Sequence, residues 1–481
     1  MKDHCGPLRS RRFLLRAGVA GWAAARAQPR LPNLVLILTD NHGAWSLGCY
    51  GNRDILTPHI DRLAGEGVLF TRAFANNAVC SPTRASLLTG LMPSQHGVHT
   101  YLRAGGAQIG PQAYNTIGEF VTLPKILAEA GYTAGLTGKW HLGDNLRPQE
   151  GFSYWVTKPH GHSAGFYDQE IIEDGKIRQE PRYLTDFWTD HALRFIEQNR
   201  QRPFFLMLAY NGPYGLGSSM KEPIRNRHAD FYAGKELPSM PRDAPHPWNF
   251  NYGSWTTDIG VRRKYAAEIS GIDDGVGRVL EALRRWNLEN DTLVIFTADQ
   301  GLAGGHSGFW GMGDHTRPLT AYDWTTWVPL LFRHPGRIPA GRRSQILVST
   351  VDLMPTVAAH LGLESRLPVR PELPGRSFAP ELQGRALAWD NTVLFEFENV
   401  RAIRTAEWKF IERIHQGPNE LYDLRRDPGE RLNLYGREAH QPIQKRLHAF
   451  FARYADPKWD LWKGGKSKAD LIMAELFGGR K

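Results

Sequence analysis

A cysteine, a proline and an arginine at alternate positions, Cys80-Ser81-Pro82-Thr83-Arg84, stand directly before a helix-forming run, Ala85-Ser86-Leu87-Leu88-Thr89-Gly90. Pro82 suits the first turn of a helix, where the N–H it lacks has no intrahelical partner to lose. Cys80 then lies at the helix N-terminus, where unpaired backbone N–H groups and the helix dipole favour negative charge. A nucleophile or an anion site belongs there, and so does a buried, inert cysteine. Arg84 follows one helical turn later, within reach of whatever position 80 binds; a surface ion pair is its ordinary alternative.

Two further places carry paired oxygen ligands, Asp40-Asn41 and Asp299-Gln300. Two carboxylates and two amide carbonyls form an all-oxygen set, which suits a hard cation far better than zinc. Either pair alone is also ordinary turn chemistry after a strand. Lys139 and His141 alternate on an extended segment and so face the same side.

The elements that must position these groups alternate between strand and helix. Residues 33–39 are a continuous apolar run, as expected of a strand buried on both faces of a parallel sheet. The run ends at Asp40-Asn41, where ligands bind in α/β folds. A helix over 58–67 and a strand over 68–70 precede the Cys80 helix. A helix over 123–131 leads to a short strand, 132–137, and on to Gly138-Lys139-Trp140-His141-Leu142-Gly143. Residues 144–185 read as loop-rich, with His160 and His162 beside glycines, where they could touch substrate or be ordinary exposed loop histidines. A helix over 185–200 and a buried strand over 203–209 deliver Tyr210-Asn211-Gly212-Pro213-Tyr214. Residues 215–258, rich in Pro, Gly, His and aromatics, read as a long insertion over the active face. A long helix, 261–286, and a strand, 292–298, end at Asp299-Gln300. The alternation predicts an α/β fold with a large, mostly parallel sheet flanked by helices. Beyond residue 390 the pattern changes to short strands at 392–397, 401–404, 408–411 and 420–424 and a helix near 438–454. A smaller C-terminal antiparallel sheet with a helix follows from it.

Cys-x-Pro-x-Arg followed by Ser-Leu-Leu-Thr-Gly resembles the signature of the formylglycine-dependent sulfatases, within the alkaline-phosphatase-like superfamily. Gly-Lys-Trp-His-Leu-Gly at 138–143 is similar to a second motif of that family. Glu420-Leu421-Tyr422-Asp423-Leu424, with Asp427-Pro428-Gly429-Glu430 and Asn433-Leu434, resembles the C-terminal signature of its bacterial members. The resemblance implies that Cys80 is oxidised to Cα-formylglycine by a formylglycine-generating enzyme, and that the hydrated aldehyde is the nucleophile. It implies a metal site of Asp40, Asn41, Asp299, Gln300 and position 80, filled by Ca²⁺ with Mg²⁺ as the alternative. It gives Cys80, Arg84, Lys139 and His141 catalytic roles, with Lys139 on the sulfate and His141 as the base that releases it. A sulfated carbohydrate is the family's commonest substrate.

The chain departs from the family pattern at several positions. Asn41 and Gln300 replace usual metal ligands, and Asn41 removes a negative charge. Tyr214 stands where the family presents a histidine that contacts sulfate and protonates the leaving oxygen. Tyrosine donates a hydrogen bond but, with an unperturbed pKa of about 10, is a weaker acid. Met312 stands where the family places a lysine after Gly-Leu-Trp-Gly. His315 and Arg317, close behind it, are candidates to supply the missing donor, which makes Tyr214, His315 and Arg317 the expected substrate contacts.

Composition agrees with a soluble globular protein, at 41% apolar and 22% charged residues in 481. Residues 1–27 resemble a twin-arginine export signal: Ser10-Arg11-Arg12-Phe13-Leu14 precedes a short apolar stretch and Ala25-Arg26-Ala27. The expected division is therefore 1–27 signal, 28–390 catalytic domain and 391–481 C-terminal subdomain, in a protein delivered to the periplasm or beyond. The formal net charge of +10 falls to +5 without Lys2, Arg9, Arg11, Arg12, Arg16, Arg26 and Asp3. No nucleic-acid motif accompanies this mild excess, and no segment has the length of a stable membrane insertion. The three cysteines are Cys5, Cys49 and Cys80, and a Cys49–Cys80 bridge would consume the candidate nucleophile. Two other readings stay open: a phosphonate or phosphodiester hydrolase on the same scaffold, and an exported, catalytically impaired binder of sulfated glycans.

Overall fold

Continuous apolar runs become the centre of a ten-stranded sheet in the computed structural model, which describes Met1 and residues 31–103, 106–415, 417–453 and 458–468. The expected export signal lies outside the described residues. In spatial order the strands are Arg342–Ser344, Val68–Phe70, Leu330–Arg333, Thr292–Ala298, Asn33–Asp40, Phe204–Pro213, Thr133–Gly138, Phe152–Thr157, Gln169–Glu173 and Lys176–Glu180. Asn33–Asp40 is buried along its whole length and pairs in parallel with Thr292–Ala298 and Phe204–Pro213. Phe204–Pro213 pairs in parallel with Thr133–Gly138 in turn. The sheet is mixed at its margins, where Leu330–Arg333 and the Gln169–Glu180 hairpin run antiparallel.

Helices cover this sheet because their apolar residues recur every three or four positions. The long helix Ile259–Arg285 buries Tyr265, Ile269, Ile272, Val276, Val279 and Leu283. Its first turn is capped by Asp258, whose carboxylate accepts from Gly260 N and Val261 N at 2.8 and 3.1 Å. This helix packs on Leu184–Gln198 and on Phe204–Pro213, and the helix Cys80–Thr89 packs on Leu123–Glu129 and Leu353–Leu361.

The region 144–185 differs from the expected loop. It contains Phe152–Thr157 and the hairpin Gln169–Glu173 and Lys176–Glu180, whose outer strand is mostly exposed. The insertion 215–258 is largely irregular, with one short α-helix, Ala229–Ala233, and single 3-10 turns at Ser218–Met220 and Gly253–Thr256. Arg262 of the long helix ties it down, donating to Met240 O at 2.9 Å and to the carbonyls of Pro241 and Thr256.

Thr392–Phe397, Val400–Thr405, Trp408–Arg413 and Glu420–Asp423 form a separate antiparallel sheet. The helix Gln441–His448, shorter than expected, lays Leu447 against Ile403, Phe410 and Leu421. Cys49 and Cys80 are free thiols. Among the described residues no helix is long and apolar enough to cross a membrane.

Candidate active site

Four adjacent parallel strands end on one edge of the sheet, and each hands over polar residues there. Asn33–Asp40 gives Asp40 and Asn41, Thr292–Ala298 gives Asp299 and Gln300, Thr133–Gly138 gives Lys139 and His141, and Phe204–Pro213 gives Tyr214. The chain bends sharply in doing so. Asn41, His141 and Tyr214 have φ of 56°, 61° and 62°, a left-handed conformation that costs a non-glycine residue on the order of 1 kcal/mol or more. Hydrogen bonds hold the bends: Tyr214 N to Asp40 O at 3.0 Å, Asn41 Nδ2 to Tyr214 O at 2.8 Å, and Tyr265 OH to Asn41 O at 2.8 Å. Gly138, with φ of 109°, lets the chain pass Ala209; a Cβ there would stand 1.8 Å from the Ala209 carbonyl oxygen.

The helix Cys80–Thr89 is buried over its full length and ends at Gly90, φ 70°. It carries Cys80 Sγ to 3.5 Å from Asp40 Oδ1 and 3.1 Å from Gln300 Nε2. Burial, and then Asp40, push the thiol pKa upward, so the unmodified cysteine stays protonated and weakly nucleophilic.

Two buried ion pairs frame Cys80. Arg84 Nε and Nη2 lie 3.0 and 2.9 Å from Asp299 Oδ2, while Nη1 donates to Lys139 O at 2.6 Å. Lys139 Nζ lies 2.5 Å from Asp40 Oδ2. Burial opposes the Lys139 and Arg84 charges, but Asp40 beside the lysine and Asp299 beside the arginine override it and raise both pKa values. Asp299 rises to about 6 through burial and through Asp40.

The residues fit a divalent cation. Asp40, Cys80 and Asp299 bring ligand atoms within 4.8 Å of one another. Gln300 provides the test. Its Oε1 is buried without a partner, while its Nε2 faces Asn41 Oδ1, Asp40 Oδ1 and Cys80 Sγ. A half-turn of that amide sets Oε1 among these acceptors, a set of oxygens that a hard cation holds together.

His141 Nε2 lies 2.8 Å from the Leu102 carbonyl oxygen. A carbonyl only accepts, so Nε2 carries the proton, and Nδ1, buried without a partner, keeps its lone pair. Burial and Lys139 hold the ring pKa well below its ordinary value, so the ring is neutral. Gly161 lies against this ring; a Cβ there would stand 2.0 Å from the ring carbons.

A cavity of about 330 Å³ opens above these groups, lined by Cys80, Lys139, His141, Tyr214, His162 and His315 among others. The structure thus brings Tyr214 and His315 to the site as expected. His315 Nδ1 accepts from Met312 N at 3.3 Å and lies 2.8 Å from Asp314 Oδ1. Arg317 does not reach the cavity: its Nη1 donates to Asp314 O and Thr316 O at 2.9 and 2.7 Å, and its guanidinium lies 4.5 Å over the Phe250 ring. Met312 Sδ rests 3.2 Å from Gln300 Nε2. His96, bonded to Ser86 Oγ at 3.0 Å, and His306, stacked on Trp324 at 3.9 Å, are structural.

Two residues of the 158–162 loop stand out: His162, read from the sequence only as a loop histidine that could touch substrate, and Lys158, which sequence reasoning did not single out. His162 is exposed to the cavity and sets Nδ1 3.2 Å from Tyr214 OH. Lys158 is buried and donates to the His162 carbonyl at 3.0 Å; burial, and then Lys139, push its pKa down to about 7. Their one signal is the His-Gly-His triplet at 160–162, which does not say what the loop faces.

A sulfatase family model matches residues 32–363, and one for the C-terminal part of N-sulphoglucosamine sulphohydrolase matches 314–456. An N-acetylglucosamine-6-O-sulfatase of Bacteroides thetaiotaomicron is 26% identical over 503 residues, with 88% of this chain and 86% of that protein covered. The N-acetylgalactosamine-6-sulfatase of Canis lupus familiaris is 31% identical over 489 residues, covering 88% and 85%. A solved structure of a protein in complex with its substrate D-glucosamine-2-N,6-O-disulfate superposes with a TM-score of 0.69 at 25% identity, covering 88% of this chain and 97% of the other.

Proposed function

This chain belongs to the sulfatase family and is a sulfuric ester hydrolase; on that premise we propose that it removes a sulfate ester from a carbohydrate, using Cα-formylglycine made from Cys80 and a hard divalent cation, Ca²⁺ with Mg²⁺ as the alternative. One observation carries this reading: Cys80, at the start of a buried helix, sits among Asp40, Asp299 and Gln300 with Lys139 and Arg84 paired beside it. The carbohydrate class is supported by the substrates named for the two relatives and for the solved complex.

Asp40, Asn41, Asp299 and Gln300, with position 80, would hold the cation, whose charge draws electron density from sulfate oxygens and acidifies the attacking hydroxyl. The hydrated aldehyde at position 80 supplies that hydroxyl. The other roles fall to the chain's own side chains. Arg84 keeps Asp299 in place and braces the Lys139 carbonyl. Lys139 Nζ, anchored on Asp40, offers its remaining protons to a sulfate oxygen. The His141 Nδ1 lone pair accepts the proton that must leave position 80 when sulfate is expelled. Maturation requires a formylglycine-generating enzyme, and the Ser10-Arg11-Arg12 segment supports export in the folded state.

Peptide mass spectrometry across residues 72–84, with parallel assays on an aryl sulfate and an aryl phosphodiester, tests the reading. The expected result is formylglycine at position 80 and faster turnover of the sulfate. An unmodified thiol in fully active protein, or faster cleavage of the phosphodiester, would overturn it.

A further inference from the structure

We propose that the Tyr214 hydroxyl, positioned by His162, donates the proton to the departing alcohol, which makes His162 a positioning residue for leaving-group release. The inference rests on the sulfatase reading above. Depth within the cavity is the starting point. Cys80, Lys139 and His141 form its floor and are 4%, 1% and 1% exposed, whereas His162 stands exposed at its mouth and Tyr214, 6% exposed, between the two. In-line displacement at sulfur puts the leaving oxygen opposite the nucleophile. With the nucleophile on the floor, that oxygen faces the mouth, where Tyr214 and His162 are.

Of the other candidates, Arg317 is turned onto Phe250, and His315 has its Nδ1 turned to the backbone, accepting from Met312 N at 3.3 Å. Tyr214 cannot drift, because its amide and its carbonyl are both bonded at the Asp40-Asn41 turn. His162 is equally fixed. Lys158 holds its carbonyl, Gly161 N donates to Gln108 Oε1 at 2.9 Å, and Ser163 Oγ donates to Asn211 O at 2.9 Å. Its ring leans edge-on against Tyr101, centroids 5.1 Å apart.

A tyrosine hydroxyl has a single proton. If that proton points at the substrate, the contact with His162 must run the other way, from Nδ1–H to the phenolic oxygen. In the step, the S–O bond to the alcohol breaks and its electron pair stays on the bridging oxygen. That oxygen takes the Tyr214 proton. The phenolate left behind is held by His162 Nδ1–H and regains a proton from water before the next turnover. The departing oxygen of a sugar ester, an alkoxide as the S–O bond breaks, is a strong base and takes the proton, whereas a 4-nitrophenolate leaves without one.

The experiment compares kcat/KM for 4-nitrophenyl sulfate, phenyl sulfate and N-acetylglucosamine 6-sulfate in the wild type, His162→Ala, His162→Asn, Tyr214→Phe and the Ala/Phe double variant. The comparison is made across leaving groups within each variant, so a smaller folded fraction cancels. Tyr214→Phe and His162→Ala are expected to lose about 100-fold on the sugar ester and under about tenfold on 4-nitrophenyl sulfate, which needs no proton. The double variant should be no worse than the poorer single one. His162→Asn, whose amide N–H can replace Nδ1–H, should recover at least about tenfold of the loss. Equal losses on all three esters, or no recovery with asparagine, would overturn the proposal. A wild type that turns over none of them overturns the sulfatase reading itself.

Discussion

Lys139 and Lys409 are both buried lysines paired with carboxylates, but their surroundings differ. Lys409 Nζ lies 2.7 Å from Asp323 Oδ1 and 2.7 Å from Glu430 Oε1, and Arg404 Nε meets Asp323 at 3.1 Å. Nearby, Arg413 meets Glu420 at 2.9 Å, and the other Glu420 oxygen accepts from the Tyr322 and Tyr422 hydroxyls at 3.0 and 3.1 Å. No buried polar atom of these side chains lacks a partner. Around Lys139, by contrast, Gln300 Oε1 and His141 Nδ1 are buried and unpartnered, and three residues hold strained backbone. The first network is closed and clamps the C-terminal sheet to the segment around Asp323. The second leaves atoms free for a cation and a proton. Buried charge thus serves anchorage where every lone pair is satisfied, and chemistry where some are withheld.

Four experiments can break or sharpen that contrast. Cys80→Ala should lower kcat/KM by about 10⁴-fold or more while the melting temperature stays close to wild type; steady-state rates and calorimetry on one preparation check both halves. Lys409→Met should do the reverse. It strips the buried Glu430 of its cation and leaves Asp323 to Arg404 alone, a loss of about 3–5 kcal/mol in unfolding free energy by urea titration, with kcat per folded molecule retained. A large fall in kcat there would mean that the closed network is not merely an anchor. Gly161→Ala drives a methyl into the His141 ring and should cost about 100-fold in kcat with little change in stability.

The smallest effect concerns Lys158. Unlike Lys409, it has no carboxylate within ion-pair distance among the described residues, and its pKa is pushed from 10.5 down to about 7. Between those values the unfolded chain binds a proton that the folded chain does not, so stability rises with pH across the window, by about 1.4 kcal/mol per pH unit at most. Below about 7 both states are charged, and burial of the amine is at its most unfavourable. Urea titrations from pH 7 to 9.5 should show this rise in wild type and not in Lys158→Met; parallel curves would remove Lys158 from the account.

The central strands were legible because 33–39, 203–209 and 292–298 are unbroken apolar runs that only a doubly covered sheet accommodates. The Cys80 helix and its partners at 40, 41, 299, 300, 139 and 141 were legible because motif residues sit at strand and helix ends. Gln169–Glu173 and Lys176–Glu180 escaped notice because they form a margin hairpin with Gln, Glu, Lys and Arg on both faces, so no apolar alternation marks it. Lys158 was not assigned, and His162 was read only as a loop histidine that could touch substrate, because their places depend on how the loop folds back on the site. Arg317 shows the converse. Proximity in sequence to Met312 suggested a replacement cation, and the turn at Asp314–Thr316 directs it to the outside.

The left-handed turns at Asn41, His141 and Tyr214 have a consequence for anyone evolving this protein in the laboratory. Glycine at 141 or 214 would relax the chain and delete the reacting group in one codon change. A screen that rewards heat resistance alone would therefore drift toward a well-behaved, silent protein. Selection has to be imposed on turnover first and on robustness second, because at these positions the two pull apart.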